Sequence, residues 1–232
     1  MRPEITGHHG VVAGGRHYSV EAGIRILRQG GNAIDAGAAT VFAAAVAEIS
    51  HFGFGGEAPT LIYSARDKRV VAINGQGSAP SAVTPELFRS KGKIDANGPR
   101  AATIPAVLDT MVLALQKFGT LRLEQVLQPA IELADGFVMY SFLERYLISE
   151  RKACEPYADT MKIYYPGGRV PSAGEMFRQP DLAATLRALI EAEKVEFAQS
   201  RDRVKALEAG RDAFYKGDIS RRIVGANRKA DG

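Results

Sequence analysis

The sequence predicts a helix-rich α/β fold. Most of its 232 residues fall in segments with apolar residues at helical spacing, while runs of five or six residues that predict strands are few. Hydrophobic residues make up 46% of the chain and charged residues 24%, which is typical of a soluble globular protein. With no clear linker or internal repeat, this length predicts a single domain over residues 1–232.

The N-terminal part predicts one strand and one helix. Residues 10–15 form a short apolar run that is closed by glycines, which predicts a buried strand. A helix over residues 19–29 follows, with Ser19 as its N-cap and glycines at its end.

A second, alanine-rich helix is predicted after those glycines. Asn32 and Asp35 have the spacing of a capping box, in which a side-chain oxygen and an acid three residues later accept hydrogen bonds from free backbone amides. The apolar run over residues 33–49 is interrupted by Asp35 and is too short to span a bilayer. We therefore expect it to be a helix buried inside the protein, and we expect no membrane association.

A glycine-rich stretch over residues 52–80 is predicted to be the centre of the chain. Its first loop, residues 53–56, leads into two apolar segments, residues 59–64 and 69–74, that predict a hairpin covered on both faces. Its second loop is residues 74–80. Glycines at this density let the backbone approach another chain segment or a ligand, so we expect any site to include these loops.

The remainder of the chain predicts a loop followed by helices. Proline and glycine make residues 84–100 loop-like. The helices are predicted at residues 105–118, 123–134, 141–162, 180–197 and 211–227.

Composition argues against several classes of protein. The net charge is only +4, and basic residues near the C-terminus alternate with acidic ones, which disfavours nucleic-acid binding. The single cysteine, Cys154, excludes an internal disulfide, and the four histidines lack metal-ligand spacing, so no metal or organic cofactor is expected. Residues 1–7 lack the apolar core of a signal peptide, which makes the cytoplasm the default expectation.

One nucleotide-binding pattern and one catalytic pattern occur in unsuitable contexts. The Gly53-x-Gly55-Gly56 loop follows a helix and opens a strand, the reverse of a dinucleotide-binding loop. Ser-x-x-Lys matches begin at Ser90 and Ser149, but nothing around them would desolvate the lysine. Taken locally, the sequence predicts a binding surface without a nucleophile.

A set of spaced segments is more specific than any single motif. In chain order they are residues 22–23, 27–36, 53–56, 79–80, 118–121, 127–131, 134–137, 179–186 and 213–223. They include Leu27-Arg28-Gln29-Gly30-Gly31-Asn32-Ala33-Ile34-Asp35-Ala36 and Gln179-Pro180-Asp181-Leu182-Ala183. Together they resemble the gamma-glutamyltransferase family of N-terminal nucleophile hydrolases, over essentially the whole chain.

This resemblance implies a fold and a mechanism. The fold would be part of the four-layer αββα sandwich, and the chain would be the N-terminal portion of a large subunit. The nucleophile would be a threonine that self-cleavage exposes at the start of the small subunit, whose own amine can act as its base. We therefore expect no catalytic residue in this chain, a partner chain that carries the threonine, and an amide-bond hydrolase or acyltransferase acting on a small-molecule amide or peptide. Members of the family also occur in the periplasm or outside the cell, which leaves the compartment open.

The same resemblance identifies candidate site residues. Alignment through Ala79-Pro80 places Gln76 where the family has an arginine that holds the α-carboxylate of a glutamyl group, with Gly77 in place of the usual acidic neighbour. The substrate is therefore not expected to be strictly γ-glutamyl. The wall of the pocket would be formed by residues at or beside the first glycine loop, namely His51, Gly55, Gly56 and Glu57.

Alternative interpretations exist for these residues and for the chain. The Gln76 amide could bond only loop backbone, and His51 could hold the loop in place instead of touching a substrate. The protein as a whole could be a non-catalytic binding or structural relative that keeps only the scaffold. A threonine at a self-cleaved junction would distinguish an enzyme from such a relative.

Overall fold

The computed structural model describes residues 4–92 and 98–229. Its helices are α1 (His17–Arg28), α2 (Ala33–Ala47), α3 (Pro85–Lys91), α4 (Val107–Phe118), α5 (Leu123–Asp135), α6 (Ser141–Cys154), α7 (Ala158–Tyr164), α8 (Pro180–Ser200), α9 (Arg203–Tyr215) and α10 (Asp218–Lys229). Its strands are β1 (Thr60–Ser64), β2 (Arg69–Ile73), β3 (Phe137–Val138) and β4 (Met176–Phe177). Single turns of 3₁₀ helix occupy Pro99–Ala101 and Pro166–Gly168.

Helix α2 lies at the centre of the main hydrophobic core. It packs against α1, α4 and α5, and α8 joins α5 to α9 on the far side. Its small alanines let these neighbours come close, and Phe42 is fully buried among them. On α1, a Cβ at Gly23 would overlap the hydroxyl of Thr40, so the close approach of α1 to α2 requires glycine there.

Buried carboxylates join the ends of these helices. Glu193 of α8 is fully buried and accepts hydrogen bonds from the first two backbone amides of α5, at 2.6 Å from Leu123 and 2.9 Å from Glu124. It therefore caps a helix of which it is not part. Burial raises the pKa of the Glu193 carboxyl, although these two amide donors act in the opposite direction.

A smaller hydrophobic cluster lies beneath α6. Strands β3 and β4 form an antiparallel pair in which Phe137 is opposite Phe177, and both rings are buried. Leu143 and Leu147 of α6 cover them. The rings of Phe137 and Phe177 meet edge to face with 5.5 Å between centroids, an arrangement favoured for aromatic pairs. This short sheet was not predicted, because two residues per strand are too few to show an alternating pattern.

The structure confirms the helices predicted from clear periodicity. The capping box of Asn32 and Asp35 is present, and α2 is buried as predicted. Helix α1 begins two residues before the predicted N-cap, so Ser19 lies inside the helix and its hydroxyl donates to Glu48 at 2.6 Å. Pro129 lies inside α5.

Three segments differ from their predictions. Part of the predicted loop at 84–100 is helical, because the Thr84 hydroxyl accepts from the backbone amide of Leu87 and caps helix α3. Residues 93–97 of that prediction lie outside the described residues. The predicted helix over residues 141–162 is two helices, α6 and α7. The predicted helix over residues 211–227 is also two, because α9 begins at an Asp202 cap and ends before Gly217. Lys93, the end of one Ser-x-x-Lys match, falls outside the described residues.

The predicted strand over residues 10–15 was wrong. This segment has no regular secondary structure, and Val11 is 57% exposed. A strand needs a neighbour to receive its backbone hydrogen bonds, and none lies beside it within residues 4–92 and 98–229.

The hairpin is confirmed, but the prediction that both of its faces are covered was wrong for this chain. Leu61 is opposite Ala72 and Tyr63 is opposite Val70, so these four side chains share one face. On that face Leu61 is 76% exposed and Tyr63 is 65% exposed. The other face is partly covered, with Ile62 only 5% exposed.

No helix in the described part of the chain is long and apolar enough to cross a membrane.

Candidate functional site

The first glycine loop, residues 53–56, is fixed to the helical core. The ring of Phe54 stacks on Phe42 of α2, nearly parallel, with 5.7 Å between centroids. The Gly56 amide donates to the carbonyl of Gly53, and the Gly56 carbonyl accepts from the Ala106 amide just before α4, both at 2.9 Å. The loop is therefore anchored to the core through Phe54 and Gly56.

The second glycine loop, residues 74–80, is held against neighbouring backbone. The Ala58 amide donates to the Gly75 carbonyl at 2.9 Å, and the Ile104 amide donates to the Ser78 carbonyl at 2.9 Å. Gly75 has a φ of +59°, and a Cβ there would overlap Ala58, while a Cβ at Gly77 would overlap Ile104. Both glycines are thus required by the protein's own close packing.

Gln76 lies on the surface between these two glycines. Its side chain is exposed and forms no hydrogen bond with any residue that the structure describes. It therefore does not cap the loop backbone in this structure. Its role, and that of Gly77, as substrate-binding residues stay predictions.

An open cleft of about 1040 Å³ lies on the other side of the first glycine loop. Its walls are the loop itself, α7, β4 and the start of α8. Four residues predicted as pocket wall contribute to it: His51, Gly55, Gly56 and Glu57. Gln76 and Gly77 are not among the residues that line it. The structure therefore brings the four predicted wall residues together in one cleft but leaves Gln76 and Gly77 outside it.

The floor of the cleft is apolar and aromatic. Phe52 and Phe54 contribute from the loop side, and Tyr164 and Phe177 from the opposite side. The rings of Tyr164 and Phe177 stack with 6.1 Å between centroids. Burial raises the pKa of the Tyr164 phenol.

Charged groups of both signs surround this floor. Lys162 and Arg178 supply positive charge, and Glu57 and Asp181 supply negative charge. All four are exposed, and none forms an ion pair with another described residue. The rim therefore has no net preference for an anion or a cation.

His51 does not form a complete catalytic group. Its Nδ1 lies 2.7 Å from the hydroxyl of the adjacent Ser50, and its ring stacks on Phe142 with 5.7 Å between centroids. A serine nucleophile needs a histidine that a third group orients, and within the described residues no acid contacts the other ring nitrogen. No group of His, Cys, Asp and Glu side chains in the described ranges is placed to hold a metal ion.

Several of the segments that carry the family resemblance prove to hold the scaffold together. Asp35 accepts hydrogen bonds from Thr120 and Leu121, which joins the segment at 27–36 to that at 118–121. The Gln179 side chain donates to the carbonyl of Val46 at 2.8 Å. Gln179 also lines the cleft, and this placement could not be predicted from the sequence because its partner lies 133 residues away.

Comparisons with known proteins agree with the resemblance. The sequence profile described as gamma-glutamyltranspeptidase matches residues 19–232. Over 228 residues the chain is 33% identical to the glutathione hydrolase-like YwrD proenzyme of Bacillus subtilis, covering 97% of this chain and 40% of that protein. It is 32% identical to the acylase ACY 1 proenzyme of Pseudomonas sp. (strain SE83), covering 94% of this chain and 38% of that protein.

The fold agrees as well. The crystal structure of Helicobacter pylori gamma-glutamyltranspeptidase superposes with a TM-score of 0.86 at 27% identity, covering 99% of this chain and 63% of that one. This confirms the predicted fold class, the helix-rich α/β fold of N-terminal nucleophile hydrolases. The chain spans about two fifths of the length of the two curated relatives named above.

Proposed function

Because the chain belongs to the gamma-glutamyltranspeptidase family, we propose that it is the N-terminal part of an amide-bond hydrolase or acyltransferase whose threonine nucleophile lies in a second chain. The observation that carries this proposal is the match over residues 19–232. The relatives named as proenzymes support a protein that is cut during maturation. The described residues contain no complete nucleophile and base of their own, which also fits a nucleophile supplied from elsewhere.

The proposed chemistry assigns a supporting role to this chain. A threonine at a new N-terminus attacks the amide carbonyl, its own α-amine takes the proton, and backbone amides stabilise the oxyanion. Here the anchored glycine loops would form part of the substrate pocket beside that threonine. The partner would be the chain that carries the threonine, and the substrate a small-molecule amide or peptide. No nucleic-acid or membrane partner is proposed.

The substrate is proposed to differ from a strict γ-glutamyl compound. Gln76 offers a neutral amide where the family has a charged, bidentate arginine fork. Loss of one charge-assisted hydrogen bond to a carboxylate costs about 1.5–3 kcal/mol, or roughly ten- to a hundredfold in binding. One of the relatives, from Pseudomonas sp. (strain SE83), is named as an acylase. We therefore favour an acyl group without a free α-carboxylate.

Intact-mass spectrometry of the full-length protein tests this function. Two chains, with the smaller one sequencing from threonine, are expected, together with hydrolysis of simple acyl anilides. Replacing that threonine by alanine should leave one uncut chain without activity. A wild-type protein that is never cut and hydrolyses none of these amides would instead support the non-catalytic scaffold relative.

A further inference from the structure

A segment without regular secondary structure joins the two glycine loops. Residues 103–106, which we call the bridging segment, lie just before α4. The Ile104 amide donates to the Ser78 carbonyl of the second loop, and the Ala106 amide donates to the Gly56 carbonyl of the first, both at 2.9 Å. The two loops therefore share one support, and a shift of that support would move both of them.

The second loop is packed tightly where it meets this support. A Cβ at Gly77 would overlap Thr103, which shows how closely the loop approaches the bridging segment. The Gly75 carbonyl accepts from the Ala58 amide at 2.9 Å, which ties the second loop to the chain that follows the first. Gln76, a predicted substrate-binding residue, lies between these two glycines. The bridging segment therefore helps to determine where the backbone of Gln76 lies.

Tyr215 of α9 holds the bridging segment in turn. Its hydroxyl donates to the Pro105 carbonyl at 2.8 Å and accepts from the Asp109 amide at 3.2 Å. In an α-helix that amide would pair directly with the carbonyl four residues earlier, which is the carbonyl of Pro105. The hydroxyl is inserted between these two groups, and so it sets where the bridging segment leaves α4.

The Tyr215 ring is itself fixed by its neighbours. The guanidinium of Arg211, one turn earlier on α9, lies 5.5 Å from the centre of this ring and forms an ion pair with Asp109 of α4. The buried ring of Phe214 meets it in a T-shaped arrangement with 4.9 Å between centroids. A ring held on these sides keeps its hydroxyl directed at the bridging segment.

We infer that Tyr215 is a positioning residue for the substrate pocket: through the bridging segment it fixes both glycine loops, and with them Gln76, in the arrangement that binds the acyl part of the substrate. This inference rests on the proposed function, which assigns these loops to the pocket. Tyr215 acts through Pro105 and takes no part in the chemical step. It also gives a role to the segment at 213–223, one of those that carry the family resemblance.

A matched pair of variants separates this role from ordinary stabilisation. Tyr215→Phe removes the hydroxyl and keeps the ring. Tyr18→Phe does the same at a tyrosine that is also half-buried and whose hydroxyl also donates to a backbone carbonyl at 2.8 Å, that of Val138 in β3. Both variants should lose a comparable free energy of unfolding in urea, but only Tyr215→Phe loses a bond to the bridging segment.

Hydrogen–deuterium exchange of the full-length protein gives the first readout. In Tyr215→Phe the amides of Ile104 and Ala106 should exchange roughly ten times faster than in wild type, because the missing hydroxyl no longer opposes local opening. Tyr18→Phe should leave both amides unchanged. Exchange of these amides at the wild-type rate in Tyr215→Phe would overturn the inference.

Steady-state kinetics of the full-length protein with an acyl anilide give the second readout. We expect Tyr215→Phe to raise KM about fivefold and to keep kcat within about twofold of wild type, because the nucleophile and its base are proposed to lie in another chain. Tyr18→Phe should change neither constant. An unchanged KM in Tyr215→Phe, or the same change in both variants, would show that Tyr215 only stabilises the fold and would overturn the positioning role.

The inference and the proposed function fail in different ways. A protein that is cut and hydrolyses acyl anilides, but whose KM does not respond to Tyr215→Phe, refutes the positioning role alone. A protein that stays uncut and inactive refutes the proposed function. In that case the exchange of Ile104 and Ala106 still shows whether Tyr215 holds the two loops.

Discussion

The carboxylate of Asp35 is expected to hold together two segments that are far apart in the sequence. It is fully buried and accepts from the Asn32 amide at 2.9 Å, the Thr120 amide at 2.9 Å and the Leu121 amide at 3.1 Å. The Thr120 hydroxyl donates to it as well, at 2.7 Å. It therefore caps α2 and fixes the turn between α4 and α5 at the same time.

The cost of removing this carboxylate follows from those contacts. Asp35→Ala leaves three backbone amides without an acceptor, at about 1 kcal/mol each at the lower end of the usual range, for a loss of roughly 3 kcal/mol. A domain of ordinary stability has about 5–15 kcal/mol to lose. Thr120→Val removes only the hydroxyl donor, at an exposed position, and should cost about 1 kcal/mol or less.

Urea unfolding of the full-length protein, followed by circular dichroism, measures both values. Asp35→Asn keeps one acceptor oxygen but turns an amide group toward the donors, so its loss should lie between those of the other two variants. If Asp35→Ala loses no more free energy of unfolding than Thr120→Val, the buried carboxylate does not join these segments and the reasoning fails.

Three further predictions concern other regions. Burial raises the pKa of Glu193 above that of an unfolded carboxyl, so its contribution to stability is fully present below a pH of about 4 and is lost as the pH rises through the raised pKa. Urea unfolding from pH 4 to 7 should therefore show the free energy of unfolding of Glu193→Gln increasing relative to that of wild type as the pH rises. A constant difference would contradict this. Leu61→Asp on the exposed hairpin face should destabilise the full-length protein by about 1.5–3 kcal/mol, as expected if the remaining polypeptide covers that face. If Leu61→Asp instead has the same melting temperature as the control variant Lys68→Asp in the hairpin turn, the face stays open. Gln76→Arg should raise kcat/KM on γ-glutamyl anilides roughly ten- to a hundredfold, and unchanged kinetics would place Gln76 outside the acyl pocket.

The sequence determined the features that depend on neighbouring residues. The capping box of Asn32 and Asp35 and the pairing of the hairpin each follow from contacts within a few residues of the chain. Helix α3 was missed although its signal, a threonine before a proline at the first helical position, was present. The glycine and proline residues around it outweighed that signal.

Only the tertiary structure showed which distant residues meet. Glu193 caps a helix 70 residues earlier, Asp35 holds a turn 85 residues later, and Gln179 bonds Val46 across 133 residues. The structure also separated Gln76 and Gly77 from the cleft that contains the four predicted wall residues. Periodicity and capping patterns describe interactions within one helix or hairpin, where the covalent chain fixes the distance between residues. Contacts between elements depend on how apolar faces and buried polar groups are satisfied together, and no single segment contains that information.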